Sequence, residues 1–204
     1  YSIKNKKLKN KAILYSIICL PVLLTTFYLS YNTIYLNLNS VTKGPVHWHA
    51  DFEIWACGEK LDLKDPKGLY NRIGTPLFHE HNDNRIHVEG VIKDWKDINL
   101  GNFFDLVNIN AEKELQLTDQ NLGNVFFKDC NGKKSALQVF LYKIKKPDNS
   151  KNWKFEQTKL ENFKDYVISG YSQVPPGDCV IIDFDEEKSE TNHLCKSYKV
   201  AIKK

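Results

Sequence analysis

Five of the six histidines fall within about forty residues, as His47-Trp48-His49, His79-Glu80-His81 and His87. Imidazole is the side chain that most readily offers a nitrogen lone pair near neutral pH, and that lone pair is a ligand for a transition metal. Asp51, Glu53, Asp83 and Glu89 are interspersed with them. Three to five imidazoles beside a carboxylate suit zinc or copper(II), both of which accept nitrogen donors. A blue-copper centre does not fit. The chain has no methionine, and the thiolate such a centre needs would have to come from cysteines that read as bridged.

Spacing predicts how the rings meet. Over His47–Ile54 the sequence alternates strictly, Trp48, Ala50, Phe52 and Ile54 against His47, His49, Asp51 and Glu53. Side chains repeat every second residue on a strand, so the first set faces a core and the second faces outward together. His47 and His49 then stand about 6.5–7 Å apart at Cα, close enough for their rings to share one ion. Arg85–Ile92 alternates again, with Ile86 and Val88 inward and Arg85, His87 and Glu89 outward. If the two strands are neighbours in register, His87 supplies a third nitrogen. His79 and His81 fall at the end of an irregular stretch, 64–84, broken by Asp65-Pro66, Gly68, Gly74 and Thr75-Pro76. They rank below His47, His49 and His87, because strands preorganise ligands better than loops do. Asp51 or Glu89 is expected either to bind the ion or to accept the hydrogen bond that fixes an imidazole tautomer. The plainer alternative is a solvated or pH-responsive histidine face. His193, beside Cys195, reads as a tail residue.

Other features suggest no chemistry. Trp48, Trp55, Trp95, Phe103 and Phe104 read as core or collar residues rather than a carbohydrate platform. Asp183, Asp185, Glu186 and Glu187 lack the spaced oxygen pattern of a calcium loop. No nucleophile elbow, glycine-rich phosphate loop or H-E-x-x-H helix is present, so no catalytic residue is nominated.

The elements that must position these residues are mostly strands. Cys57-Gly58 is a hairpin turn into Lys60–Leu63, and Asp129-Cys-Asn-Gly is another. Further strands are expected at 113–118, 125–128, 135–144 and 179–184, with a Pro175-Pro-Gly-Asp turn before the last. Leu100, Phe103, Phe104 and Val107 form an apolar stripe on a short helix over 99–108. The segment 151–168 reads as partly helical. The fold class is therefore α+β and mainly β, either a sandwich or a β-grasp-like sheet wrapped on the 99–108 helix.

Ahead of this domain, residues 1–11 carry five lysines and no acid, and residues 12–204 hold 24 basic against 25 acidic side chains. That near-neutral remainder argues against a nucleic-acid surface. Residues 12–29 are free of charge, and with their flanks they reach the twenty or so apolar residues that span a bilayer as a helix. The expected layout is a cytoplasmic basic tail (1–11), a signal-anchor helix (12–31), a neck (32–45) and an extracytoplasmic β-rich domain (46–204). Tyr28, Tyr31 and Tyr35 suit the outer interface. No small-x-small cleavage site follows the apolar run, so an uncleaved anchor is preferred over a signal peptide. Cys57, Cys130, Cys179 and Cys195, an even number, suit an oxidising compartment, and of three possible connectivities Cys57–Cys130 with Cys179–Cys195 is favoured.

HWHADFEIWACGEKLDL, GTPLFHEHNDNRIHVEGVI, LGNFFD and the late PPGDCVIIDF resemble a group of uncharacterised membrane-anchored or secreted histidine-bearing proteins of small-genome bacteria and archaea. The resemblance covers most of residues 46–195. It implies an extracytoplasmic histidine-bearing domain and carries no activity. Three functions fit the sequence. The first is a membrane-anchored domain binding copper or zinc. The second is a non-catalytic accessory or structural subunit of a membrane or envelope assembly, held by its helix in lipid. The third is a metal-dependent hydrolase or oxidoreductase with Glu53 or Glu80 as acid/base, ranked last because no pattern nominates a substrate.

Overall fold

The computed structural model of the chain describes residues 2–66, 71–110, 114–145, 154–170 and 177–202. The first element, α1 (Ser2–Asn39), is a 38-residue helix that carries Pro21 within it. It absorbs the basic tail and most of the stretch expected to be a neck, since neither the tail nor residues 32–39 contain glycine or proline; Gly44-Pro45 lies beyond its end. Its apolar window has a mean hydropathy of 2.1 and none of it is buried, so the helix is long and apolar enough to cross a membrane. Ser40 caps the end, its hydroxyl donating to the Asn37 carbonyl and accepting from the Gly44 N–H.

The rest is built on one eight-stranded sheet, of the α+β, mainly β class expected. Its strands are β1 (Pro45–Ala56), β2 (Glu59–Leu61), β3 (Ile73–Gly74), β4 (Phe78–Glu80), β5 (Arg85–Val91), β8 (Ala136–Lys145), β9 (Lys154–Lys159) and β10 (Asp178–Asp185). The order is β3-β4-β5-β1-β10-β8-β9, with β2 paired to the far end of β1. The first and last long strands, β1 and β10, run parallel at the centre, and the other pairs are antiparallel. A separate hairpin, β6 (Leu115–Asp119) and β7 (Gly123–Phe127), forms the second sheet. The eight-stranded sheet packs one face against a helix.

That helix is α2 (Leu100–Leu106), started by Asn99, whose side chain accepts the Asn102 N–H. Its apolar stripe, Leu100, Phe103, Phe104 and the following Val107, is buried. Phe103 meets Phe52 of β1 and Phe78 of β4 at ring separations of 5.2 and 5.7 Å. Ala50, Phe52, Ile54, Ile86 and Val88 face the same core, so the alternation in β1 and β5 runs as the sequence indicates.

The opposite face departs from expectation. It is not simply solvated, because the C-terminal segment ending in α3 (Lys196–Ile202) packs on its middle. Phe140, Tyr142, Cys179 and Ile181 give that region an apolar surface, and Cys195 and Tyr198 cover it. Asp51 and Glu53 are consequently buried, while His47 and His49 lie past the covered region. Cys57 is bridged to Cys130 and Cys179 to Cys195.

One further reading is corrected. The 151–168 segment is not helical over its described residues: β9 alternates with period two, Phe155 and Gln157 half-buried and Glu156 and Thr158 exposed, and only a 3-10 turn (Phe163–Asp165) follows. Of the core-or-collar readings, Trp95 takes the collar one. It is 43% exposed and stacks on Trp48, itself half-buried against the core. Residue 113 and Pro175-Pro176 lie outside the described residues.

Candidate metal centre

The histidines meet because two strand pairs that share β5 are in register. On the β1–β5 pair His49 stands opposite His87, and His47 opposite Glu89. On the β4–β5 pair His79 also stands opposite His87. His49, His87 and His79 therefore form a row across three adjacent strands, on the face turned away from α2. His79 and His81, expected on a loop, are positioned by β4 and its last turn, so their lower rank is not reflected in the geometry. β4 was invisible as a strand because it has only three residues, too few for alternation to register.

A tight turn puts β4 in place. Thr75 donates its N–H to the Phe78 carbonyl, and its hydroxyl accepts the Phe78 N–H at 3.0 Å. Gly74 lies opposite His79 with φ +112°, where a Cβ would come within 2.5 Å of the Phe78 carbonyl oxygen. Only glycine suits that combination. After His81 the chain reverses through Asn82 and Asn84, both in the left-handed region. Glu80 Oε1 accepts the N–H groups of Asp83 and Asn84 there. Burial is the main influence on Glu80 and raises its pKa above the ordinary carboxylate range.

The donor atoms fall into two groups, in each of which they lie within 4.8 Å of one another: His47, His49, His87 and Glu89, and His79, His81 and His87. His87 belongs to both. In each H-x-H pair the two Nε2 atoms are 3.0 Å apart. With metal–nitrogen bonds of about 2.05 Å, that separation corresponds to a ligand–metal–ligand angle of about 95°. The His81 Nδ1–H donates to the Asn71 carbonyl, a tautomer that leaves its Nε2 lone pair toward His79. A backbone acceptor on the other ring nitrogen is the usual way a protein orients a metal-binding histidine.

The carboxylates divide. Glu89 Oε1 lies 3.1 Å from His47 Nε2 and 3.7 Å from His87 Nδ1. Asp83 Oδ2 lies 3.2 Å from His87 Nε2. Asp51, weighed with Glu89 from the sequence, is engaged elsewhere: it accepts from Arg85 Nε at 2.8 Å and from the Ser197 hydroxyl. It stands opposite Arg85 in the register, which local sequence does not reveal. Nor are the proposed acid/base residues free. Glu53 is buried and held by Trp55 Nε1 and Lys60, and Glu80 closes its turn.

Electrostatics favour rings with a free lone pair. Burial, then the neighbouring His87 and His47 rings, push the His49 pKa below the ordinary imidazole value. Burial and His81 do the same to His79. Two buried ring nitrogens, Nδ1 of His79 and of His87, have no hydrogen-bond partner among the described residues, and an unpartnered buried donor or acceptor is costly unless something else satisfies it. The residues present fit a nitrogen-seeking divalent cation. His193 is remote from the cluster, stacked on Trp55 at 3.7 Å. A cavity of about 560 Å³ lined by Gly101, Phe104, Asp105, Asn108 and Lys164 borders α2 and includes no histidine.

Comparison with protein-family models, with curated proteins and with solved structures finds no match.

Proposed function

We propose that this chain is a membrane-anchored, extracytoplasmic protein that binds a transition metal, copper or zinc, through its histidine face. One observation carries the reading: five imidazoles from three paired strands and one turn fall into two groups tight enough to hold an ion. Solvated histidines on an edge strand have no reason to share a row or to leave buried nitrogens unpartnered. Nitrogen-rich donors with a carboxylate select copper(II) or zinc over magnesium or calcium, which prefer oxygen.

The placement rests on independent features. Five lysines precede the apolar run and the nearest positive charge beyond it is Lys43, a bias that keeps the N-terminus in the cytoplasm. Two disulfides suit an oxidising compartment. The lipid around α1 is then the chain's first partner, and a membrane assembly can hold it as a subunit through the same helix. This reading places the chain among the histidine-bearing proteins it resembles. Capture or buffering is preferred to turnover, because Glu53 and Glu80, the acid/base residues available in sequence, are both committed to structural contacts.

The test is elemental analysis of the chain purified in detergent, before and after His47 and His49 are both changed to alanine. Stoichiometric copper or zinc in the parent and its reduction in the variant are expected. His47 is exposed and His49 half-buried, so circular dichroism of the variant should be unchanged. A folded parent that takes up neither metal from a buffered excess would overturn the reading.

A further inference from the structure

We infer that the histidine face is a two-ion centre, with His87 as the bridging ligand between the ions. This rests on the metal-binding reading and goes beyond it.

The donors do not form one cluster. They form two groups that share a single residue, His87. The two nitrogens of that ring point to different neighbours. Nδ1 is 3.7 Å from Glu89 Oε1, which itself lies 3.1 Å from His47 Nε2. Nε2 is 3.2 Å from Asp83 Oδ2, in the turn that follows His81. One nitrogen thus lies near Glu89, a member of the His47–His49 group, and the other near Asp83, in the turn that follows His81. The flanking rings are arranged around His87 on both sides, with centroids 4.7 Å away for His49, 5.4 Å for His79 and 4.9 Å for His81. His87 is only 9% exposed, and its Nδ1 has no hydrogen-bond partner among the described residues.

Each half is chemically sufficient. The first would offer His47, His49, one nitrogen of His87 and Glu89, four donors. The second would offer His79, His81 and the other nitrogen of His87, with the Asp83 carboxylate beside it. Three nitrogens and a carboxylate are a sound set for zinc or copper(II). A neutral imidazole has one free lone pair. To bind through both nitrogens His87 therefore releases its remaining ring proton to solvent as the second ion enters, and no redox change is required.

The experiment counts ions on the full chain in detergent by native mass spectrometry during zinc(II) titration, and repeats the loading with copper(II) for electron paramagnetic resonance. Two zinc ions per chain are expected at saturation. His47→Ala with His49→Ala should leave one, His79→Ala with His81→Ala should also leave one, and His87→Gln should weaken both. Two copper(II) ions joined through one imidazole ring are magnetically coupled, so the fully loaded parent should show less uncoupled signal than its copper content requires. Saturation at one ion, or two ions with full uncoupled signal, would overturn the bridge and leave metal binding intact. No ion at all would instead remove the reading beneath it. The parent's count and spectrum need no variant, so a His87→Gln chain that fails to fold does not spoil the test.

Discussion

His87 is central among the site residues. The apolar-polar period of Arg85–Ile92 makes its outward direction legible, while the β1–β5 register, which the sequence leaves conditional, brings it to the face of His47 and His49. The partition of the carboxylates was not legible, because it depends on which residues stand opposite each other. Glu89 faces His47, and Asp51 faces Arg85, and nothing local distinguishes the two acids. The same limit hides Lys188, whose Nζ lies 2.9 Å from both Asp183 Oδ2 and Asp185 Oδ2. Asp183 is fully buried. Lys188→Met strands that carboxylate without its cation, and urea unfolding should detect a loss of about 3 kcal/mol. Burial alone would raise the Asp185 pKa; hydrogen bonds from Lys188 and the Glu186 N–H outweigh it and hold the group below its ordinary value. A folded-state value below the unfolded one stabilises the protein at neutral pH, and that contribution fades as pH falls below roughly 4. The gap in melting temperature between the parent and Lys188→Met should therefore narrow as pH is lowered through that range. A gap that stays constant down to about pH 2 would contradict the assignment.

At the scale of elements, strong periodicity was readable and brevity defeated it. The twelve residues of β1 alternate long enough to give strand and face together. β4, with three residues, depends on Gly74, Thr75 and the pairing with β5, and these are visible only once the chain is folded. Within the segment 151–168, which reads as partly helical, Lys154–Lys159 is short and rich in side chains that both states accept, and its pairing with β8 makes it strand. α2 holds the histidine strands from beneath, through Phe103 against Phe52 and Phe78. Phe103→Ala should cost about 3–5 kcal/mol in unfolding free energy and, by loosening β1 against β4, weaken zinc uptake. The bridges offer a graded test. Cys57–Cys130 spans 73 residues and Cys179–Cys195 spans 16. In the chain-entropy account, replacing each pair by alanine should lower stability by about 4 and about 3 kcal/mol respectively. Denaturant unfolding of both variants reads the order directly.

For the molecule as a whole, the sequence conveyed a charged tail, an apolar helix and a separate disulfide-bearing domain, but not the continuity of α1. Its 38 residues amount to about 57 Å of helix at 1.5 Å per residue, against a hydrocarbon thickness of about 30 Å. Orientation is testable through the lysines. Changing Lys4, Lys6, Lys7, Lys9 and Lys11 to serine should yield a mixed population by protease access in inverted vesicles, whereas the parent's β-rich domain should be protected throughout. Digestion of that domain in the parent would place it in the cytoplasm instead. The row His49–His87–His79 has a mechanical consequence. β4 joins the sheet through a two-residue register with β5 and a two-residue register with β3, which makes this margin the part most prone to fray. Ions that grip the β1 and β5 rings on one side of His87 and the β5 and β4 rings on the other act together as a lateral staple across that margin. Chelation should then speed amide deuteration of residues 73–81 while the buried β10 exchanges as slowly as before, so that occupancy is felt as stiffness at one rim of the protein.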